Sequence, residues 1–419
     1  MKVLFINTHY MHGGAGRAAG RLQIALKNIG VDVKQLVQNG FGDRHDSIIG
    51  PLSPLDKLLA LWKPALETLP LYLYKKRNGL PFSTSYLPDI IVSKVNELNP
   101  DIIHLHWTCS GFVRIETLKK LKKPLVWTLH DSWPFTGGCH IPLDCVGYKD
   151  RCGKCPALGS MFNHDLSRWI WNRKLDAWSG LDMTIVTPSN WLAECARSSS
   201  LFRGKRVEVI PNGVDVGATR RIDKNIARSI FSLDPDKKYI LFGAVNATSD
   251  KNKGFQHVVG ALNAFEQELA ALNCELLVFG GYEPADAPGF GLKTHYLGYL
   301  HDEVSINLLY SAVDVFLAPS LQENLPNTIM EAMACGVPTV AFSVGGIPDL
   351  INHKQNGYLA QPYDTVDLAH GILWILSNIS LWEQLSCSAR DTIEAKFDID
   401  VIASKHYNLY NEIIRDHSA

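Results

Sequence analysis

The chain has 419 residues, of which 46% are hydrophobic and 20% are charged, values typical of a globular protein with two domains. No apolar stretch is long enough for a membrane-spanning helix, and the apolar start at residues 1–7 is too short for a signal peptide. Nine mostly scattered cysteines without a secretion signal predict a reducing, cytoplasmic setting.

The net charge of −1 hides an uneven distribution along the chain. Basic side chains exceed acidic ones by ten over residues 1–211, and acidic ones exceed basic ones by eleven over residues 212–419. One interpretation is that the basic half meets an anionic membrane face or an acceptor carrying phosphate. The other is that two oppositely charged domains attract each other, and the two interpretations are compatible. No nucleic-acid partner is predicted.

The first half of the chain alternates short apolar runs with helical stretches, which predicts a doubly wound parallel sheet. The predicted strands lie at residues 3–6, 31–37, 102–105, 125–129, 183–186 and 207–210. The predicted helices lie at residues 16–28, 115–121, 166–178 and 190–198.

A glycine-rich loop follows the first predicted strand and opens the first helix. Gly14 and Gly16, with Ala19, fit the dinucleotide-binding fingerprint, and the helix start offers N–H groups to an anion. An NAD site would also need an acidic residue after the second strand, where the chain instead has Gln38 and Asn39. A tight turn without a ligand is the simpler alternative.

Residues 48–88 interrupt the first series and are rich in Leu, Pro and aromatic side chains, so we interpret them as an insertion. Its most distinctive part comprises Tyr72, Tyr74, Lys75, Lys76 and Arg77. Aromatic side chains beside cations are typical of a membrane surface or a sugar-binding site. A folded helical hairpin with an exposed basic end is an equally good interpretation. A second basic run lies at residues 119–123.

His130 and Asp131 follow the predicted strand at residues 125–129. Ligand sites in parallel sheets lie at the carboxyl ends of strands, so this position favours a functional histidine over a structural one.

Four cysteines follow within 17 residues: Cys139, Cys145, Cys152 and Cys155. Four thiolates in a short loop suit a structural zinc ion with tetrahedral coordination. The first gap is longer than in a common zinc knuckle, so free thiols or a disulfide remain alternatives.

The second half repeats the alternation of strand and helix after a turn-rich segment at residues 211–215. We therefore predict one domain at residues 1–211, a second at 212–397 and a closing segment at 398–419. The predicted strands lie at residues 239–242, 276–279, 315–317 and 339–342. The predicted helices lie at residues 255–271, 303–311, 364–377, 381–395 and 399–414. The D-x-D triplets at residues 234–236 and 398–400 precede elements, so no catalytic metal is predicted there.

The most informative motif is a pair of glutamates, Glu323 and Glu331, after the apolar run at residues 314–319. The run predicts a buried strand, and residues 327–335 predict the helix that follows it. Glu323 then lies in the loop and Glu331 about one turn inside the helix. The helix start favours a bound anion, and the carboxylates can accept hydrogen bonds from sugar hydroxyls. This combination is typical of an enzyme that uses a nucleotide sugar.

The two glutamates belong to a longer block, residues 320–349, with the sequences CGVP at residues 335–338 and GGIPD at residues 345–349. This block resembles the retaining glycosyltransferases of family GT4. The resemblance implies the GT-B fold, with two Rossmann-like, doubly wound parallel-sheet domains facing a cleft. In that family the last helix, here within residues 398–419, crosses back onto the first domain.

The resemblance also implies roles for individual residues. The donor is a sugar on UDP or GDP, Glu331 would hold the ribose, and Glu323 would orient the donor sugar. His130 matches a histidine that contacts the donor sugar, and the loop with Gly14 and Gly16 would lie across the cleft from the donor phosphates. Catalysis would need no metal.

The negative charge of the leaving phosphate would be taken by backbone amides and a lysine. The groups implied are the amides of Asn324, Leu325 and Asn327, with Lys253. The family usually has an arginine where this chain has Ala244, and Lys251 is the candidate substitute. No side chain is an obvious covalent nucleophile, and the resemblance implies that the leaving phosphate itself would serve as the base.

The main hypothesis is therefore a cytoplasmic hexosyltransferase, peripheral at the inner membrane face, in bacterial surface or exopolysaccharide synthesis. Its acceptor would be a saccharide, lipid-linked because of the basic first half. A nucleotide-sugar 2-epimerase on the same fold and a non-catalytic nucleotide-sugar-binding protein are the alternatives.

Overall fold

The computed structural model describes residues 1–39, 46–51, 53–284, 289–300 and 302–418. It contains two compact units, one formed by Met1–Asn212 with Asp400–Ala419 and the other by Gly213–Ile399. We call them the first unit and the second unit. No helix in the described part of the chain is long and apolar enough to cross a bilayer.

The first unit is built on a parallel sheet with helices on both faces. Its strands are β1 (Lys2–Ile6), β2 (Asp32–Leu36), β3 (Ile48–Ile49), β4 (Ile102–Leu105), β5 (Leu125–Thr128), β6 (Met183–Thr187) and β7 (Arg206–Val209). Its helices include α1 (Gly13–Asn28), α2 (Pro54–Glu67), α3 (Ile91–Leu98), α4 (Leu166–Trp178) and α5 (Asn190–Ser198). Over the described residues the strand order is β3-β2-β1-β4-β5-β6-β7.

The central strands of this sheet are largely apolar because both of their faces are covered. Every residue of β4, β5 and β6 is buried. Trp127 of β5 packs edge-on against Trp178 of α4, with ring centroids 5.2 Å apart. The chain reverses its winding between β1 and β4, so the carboxyl ends of these two strands form a switch point where ligands bind in such sheets.

The second unit repeats this architecture on a smaller scale. Its strands are β8 (Lys238–Gly243), β9 (Cys274–Phe279), β10 (Thr294–Tyr296), β11 (Val315–Ala318), β12 (Thr339–Phe342) and β13 (Gly357–Ala360). Its helices are α6 (Lys224–Ile230), α7 (Phe255–Ala264), α8 (Glu266–Ala271), α9 (Glu303–Ala312), α10 (Asn327–Ala334), α11 (Thr365–Leu376) and α12 (Ile379–Lys396). The described strands pair in parallel in the order β10-β9-β8-β11-β12-β13. The switch point of this sheet lies between β8 and β11.

The last helix, α13 (Ile399–Ser418), belongs to the first unit from Asp400 onward. Its Tyr410 is buried, and the Tyr410 hydroxyl lies 2.6 Å from Nδ1 of His104 on β4. The C-terminal segment thus packs in the core of the unit that begins the chain.

Several predicted elements differ from the observed ones. Residues 115–121 were predicted as an α-helix and contain a 3-10 helix, Ile115–Lys120. The helix predicted at residues 255–271 is broken at Phe265 into α7 and α8. The strands and α-helices without a sequence prediction are β3, β10, β13, α3 and α6, most of which are short and lack a strong apolar period. The helix α2 lies in residues 48–88, for which a helical hairpin was one interpretation.

Candidate active site

The candidate site of the second unit lies at its switch point. β8 ends at Gly243, β11 ends at Ala318, and the loop that follows β11 contains Glu323. A small crevice of about 10 Å³ opens here, lined by Ala244, Lys253, Ser320, Glu323, Pro326 and Thr328 among others. The predicted carboxylate, the predicted lysine and the start of α10 therefore share one crevice.

Lys253 and Glu323 form an ion pair in this crevice. The Lys253 Nζ lies 2.6 Å from the Glu323 Oε1, and the two side chains are 24% and 16% exposed. Burial alone would lower the pKa of Lys253, but the charge and hydrogen bond of Glu323 outweigh it, and the pKa is raised. The lysine is therefore charged at neutral pH, and it is the only cationic side chain among the described residues that line the crevice.

Two glycines hold the loop that contains Glu323. Gly254 has φ +73°, and a Cβ there would lie 2.0 Å from the carbonyl oxygen of Pro319. Gly345 has φ +55°, and a Cβ there would lie 1.9 Å from the carbonyl oxygen of Glu323. Neither position accepts another residue without moving the backbone, so the glycine next to Lys253 and the first glycine of the GGIPD sequence act through close packing.

Asn252 fixes the same loop and was not predicted from the sequence. It is 3% exposed, its Nδ2 donates to the carbonyl oxygen of Gln322 at 2.9 Å, and its Oδ1 accepts from the amide of Gln322 at 3.2 Å. The carbonyl oxygen of Asn252 accepts from the amide of Leu321 at 2.8 Å. An asparagine between two lysines before a predicted helix was the only signal in the sequence.

The helix α10 begins at the crevice, since Pro326 and Thr328 line the crevice. Leu325 is 5% exposed and anchors the preceding loop in the core. Glu331 lies inside α10 and is 3% exposed. The predicted roles of Glu331 and of the amides of Asn324, Leu325 and Asn327 stay predictions.

The family usually has an arginine at the position of Ala244, and Lys251 was predicted to replace it. Lys251 is exposed and lies in the 3-10 helix Lys251–Lys253. Ala244 lines the crevice, and its carbonyl oxygen accepts from the amide of Ala247. Positive charge in the crevice is thus supplied by Lys253, and a role for Lys251 stays a prediction.

The first unit gathers histidines beside its own switch point, at the carboxyl ends of β4 and β5. His130 Nε2 lies 3.1 Å from His106 Nδ1, and their rings stack at 5.4 Å. Burial lowers the pKa of His130 to about 4, against the opposing charge of Asp131. His130 is therefore neutral at physiological pH, and its contact with the donor sugar stays a prediction.

Asp131 organises the residues around this edge. Its Oδ2 accepts from Trp107 Nε1 at 2.8 Å and lies 2.7 Å from His140 Nδ1, and its Oδ1 accepts from the amide of Trp133 at 2.8 Å. Burial would raise the pKa of Asp131, but His140 and these donors lower it, so the carboxylate stays ionised. His106 and Trp107 directly follow an apolar strand, and this position was the sequence signal that could have identified them. No sequence signal pointed to His140.

The glycine-rich loop is closely packed at Gly16 and exposed at Gly14. A Cβ on Gly16 would lie 3.1 Å from the carbonyl oxygen of His9. The His9 ring stacks on Trp107 with centroids 5.7 Å apart. The structure thus places Gly14 and Gly16 in the first turn of α1, which begins before the predicted residue 16, and ligand binding by the two glycines stays a prediction.

The four clustered cysteines are free thiols around one cavity of about 20 Å³. Burial raises the pKa of Cys139 and Cys155 and raises that of Cys152 to about 12. Cys139, Cys152 and Cys155 pack in the hydrophobic core of the first unit. Across the described ranges, no three His, Cys, Asp or Glu side chains are grouped so as to hold a metal ion. The structure thus gives no support to the predicted zinc, and the disulfide alternative is not formed.

We expect these buried thiols to resist alkylation, because the thiolate is the nucleophile and burial disfavours it. With iodoacetamide, the exposed Cys387 should react first in the native protein, while Cys139 and Cys152 stay unmodified. Peptide mass spectrometry gives the order, and urea-denatured protein serves as the control in which all react. Release of zinc into a chromogenic chelator on denaturation would instead support the predicted structural zinc.

Each of the two doubly wound units has a candidate site near its switch point. Two such units form the architecture of the GT-B glycosyltransferases. Residues 12–218 match the family model described as "Glycosyltransferase Family 4", and residues 237–378 match that described as "Glycosyl transferases group 1". The chain belongs to this family of retaining nucleotide-sugar glycosyltransferases. The predicted fold class and enzyme class are confirmed.

Known relatives and structures agree with this assignment. The chain is 26% identical to N-acetyl-alpha-D-glucosaminyl L-malate synthase of Bacillus anthracis, over 78% of this chain and 79% of the relative. It is 27% identical to the putative colanic acid biosynthesis glycosyl transferase WcaC of Escherichia coli, over 57% and 58% of the two chains. A crystal structure of HepE from Anabaena with UDP-glucose superposes with a TM-score of 0.66 at 18% identity, over 98% and 100% of the chains.

Proposed function

We propose that this enzyme transfers a hexose from a UDP-sugar, with retention, to a lipid-linked saccharide in the synthesis of a bacterial surface polysaccharide. The observation that carries the proposal is the Lys253–Glu323 ion pair at the switch point beside the start of α10. The HepE complex with UDP-glucose supports a UDP-sugar as the donor, and GDP-sugars are the second choice. The relation to WcaC supports a saccharide acceptor.

The ion pair prepares the two charges that the reaction needs. With donor bound, Lys253 turns its ammonium to the pyrophosphate, and the N-terminus of α10 adds backbone N–H groups. Glu323, released from the lysine, accepts hydrogen bonds from hydroxyls of the donor sugar. The charge that develops on the leaving phosphate is thereby stabilised by groups already in position, which is the main electrostatic task of such a catalyst.

The configuration at C1 is retained if the acceptor hydroxyl attacks from the face that the nucleotide leaves. On that face the leaving phosphate can take the proton of the hydroxyl. The C1–O bond to phosphate breaks, and a new C1–O bond to the acceptor forms on the same face. The proton ends on the phosphate, so atoms and charge balance without a protein nucleophile. His130, neutral at physiological pH, is proposed to hold a hydroxyl of the donor sugar, and Glu331 to hold the ribose.

Saturation-transfer NMR against UDP-glucose, UDP-N-acetylglucosamine and GDP-mannose tests the donor class. We expect at least one UDP-sugar to give saturation transfer to uracil and ribose protons, with competition by free UDP. Preference for GDP-mannose would replace the proposed base, and no transfer from any compound would overturn the proposal.

A soluble small-molecule acceptor is the second candidate, because the relative from Bacillus anthracis is named for a glucosaminyl L-malate product. Incubation with radiolabelled donor and either a membrane extract or small organic acids distinguishes the two acceptors. Label in the organic-solvent phase supports the lipid-linked acceptor. Incubation with donor alone tests the 2-epimerase alternative, which predicts an epimer of the donor.

We expect EDTA to leave the initial rate of transfer unchanged, because Lys253 and the α10 N-terminus take the phosphate charge. The rate is measured before and after dialysis against EDTA, with re-added Mg²⁺ as the control. Immediate loss of activity that Mg²⁺ restores would contradict this mechanism.

A further inference from the structure

The helix α2 is apolar in sequence but exposed in the structure. Within it, only Ala60 and Glu67 are buried. Four large side chains spaced three or four residues apart form one side: Leu55 (65% exposed), Leu58 (53%), Trp62 (57%) and Leu66 (39%). A 3-10 helix, Leu69–Leu73, continues the exposed surface with Leu69, Tyr72 and Leu73. We call these seven residues the α2 stripe. Exposed apolar surfaces of this extent mark interaction sites.

Hydrogen bonds stabilise the start of α2 and attach its end to the rest of the unit, while few of its apolar side chains are buried. Ser53 caps its start through a capping box with Asp56. At its end, the buried Glu67 accepts from the amides of Thr84 at 3.0 Å and Ser85 at 2.7 Å. A cavity of about 320 Å³, lined in part by Ala60 of the helix and by Leu36 of β2, lies between α2 and the sheet. The stripe is thus presented by an ordered helix and is not needed for the core.

The charges around the stripe identify its partner. The exposed cations of the segment are Lys57, Lys75, Lys76 and Arg77. Its two carboxylates, Asp56 and Glu67, are already used in the hydrogen bonds that hold α2. No ion pair within the described residues neutralises these four cations. The surface therefore presents leucine, tryptophan and tyrosine bordered by free positive charge, which is the composition of an interfacial membrane helix.

We infer that the α2 stripe docks this enzyme on a bilayer containing anionic lipid, with the apolar side chains in the interface and the cations at the headgroups. The inference rests on the proposed function in so far as a lipid-linked acceptor resides there. A second copy of the chain fits less well, because a two-fold contact would bring the same cations together. Tyr74, predicted at this surface, instead accepts from the amide of Leu166 at 2.9 Å and packs on the core.

Vesicle co-sedimentation without donor or acceptor tests the inference, so its failure is distinguishable from failure of the donor-binding experiment. We expect binding to phosphatidylglycerol–phosphatidylcholine vesicles that weakens with salt, and much weaker binding to phosphatidylcholine alone. Leu58→Ser with Trp62→Ser should lower the partition coefficient by about tenfold or more. Lys75→Gln with Lys76→Gln and Arg77→Gln should lower it by on the order of a hundredfold.

Matched controls separate the stripe from general surface properties. Ile226→Ser with Ile230→Ser removes two side chains, each 56% exposed, from one side of α6 and should leave vesicle binding unchanged. Melting curves should show that every variant is folded, because all the substituted side chains are exposed. Equal binding to neutral and anionic vesicles, or wild-type binding by the Leu58→Ser, Trp62→Ser variant, overturns the inference. So does a concentration-dependent dimer that this variant abolishes, since the partner would then be a second copy.

Discussion

Glu323→Gln is expected to lower the rate of sugar transfer by about a hundredfold or more, a loss typical of removing one preorganised electrostatic group. The substitution keeps the shape of the side chain but removes the charge that lies 2.6 Å from the Lys253 ammonium. It also replaces a carboxylate acceptor by an amide where the donor sugar must be oriented. Because the lysine and the α10 N-terminus remain, the affinity for UDP should change little.

The measurement is the initial rate with radiolabelled donor, together with UDP affinity by calorimetry. Glu268→Gln is the matched control, because Glu268 is an exposed glutamate of the same unit on α8 and should behave as wild type. Near-normal turnover by Glu323→Gln would exclude the assigned role. Loss of both UDP binding and turnover would instead place Glu323 in nucleotide binding.

Gly254→Ala is expected to lower activity by about a hundredfold, because misplacing catalytic groups by about 1 Å costs that much. The added Cβ would lie 2.0 Å from the carbonyl oxygen of Pro319, and φ is +73°, so the backbone on one side of the crevice must move. Lys253 is the adjacent residue, and Glu323 lies on the loop that Pro319 begins. The free energy of unfolding should also fall by more than the roughly 1 kcal/mol that alanine costs at a glycine with positive φ.

Gly30→Ala is the control for this effect. Gly30 has φ +85° with no atom within 4 Å of a built Cβ, so its substitution introduces the conformational cost without a clash. Urea unfolding and kcat/KM are measured for both variants. If Gly254→Ala keeps wild-type kcat/KM and is destabilised no more than Gly30→Ala, the close contact with Pro319 does not position the site.

Local patterns in the sequence determined the frame of this protein. The apolar runs that became β5, β8, β11 and β12 were recognisable because parallel strands covered on both faces must be apolar throughout. The helix α10 and the positions of Glu323 and Glu331 relative to it followed from spacing alone. Short edge strands such as β10 and β13 were missed, because they have few residues and no clear period.

The tertiary structure decided which of the predicted residues meet. Seventy residues separate Lys253 from Glu323 in the chain, and only the adjacency of β8 and β11 brings their charged atoms together. The clamp by Asn252 and the need for glycine at positions 254 and 345 likewise depend on contacts between distant loops. The four cysteines surround one cavity as free thiols, three of them buried and Cys145 partly exposed, and spacing alone did not determine how deeply each would be buried.

The exposure of α2 shows most clearly the difference between what the sequence determines and what the tertiary structure decides. The sequence predicted an insertion at residues 48–88, either at a membrane surface or a sugar-binding site, or as a helical hairpin with an exposed basic end, and it did not decide where the leucines lie. In the fold, Glu67 and the capping box hold the helix, and a cavity lies beneath it, so the leucines remain exposed. Sequence determined that this segment is apolar and basic, and only the tertiary structure decided that its apolar side faces outward, because burial depends on what the rest of the chain places against it.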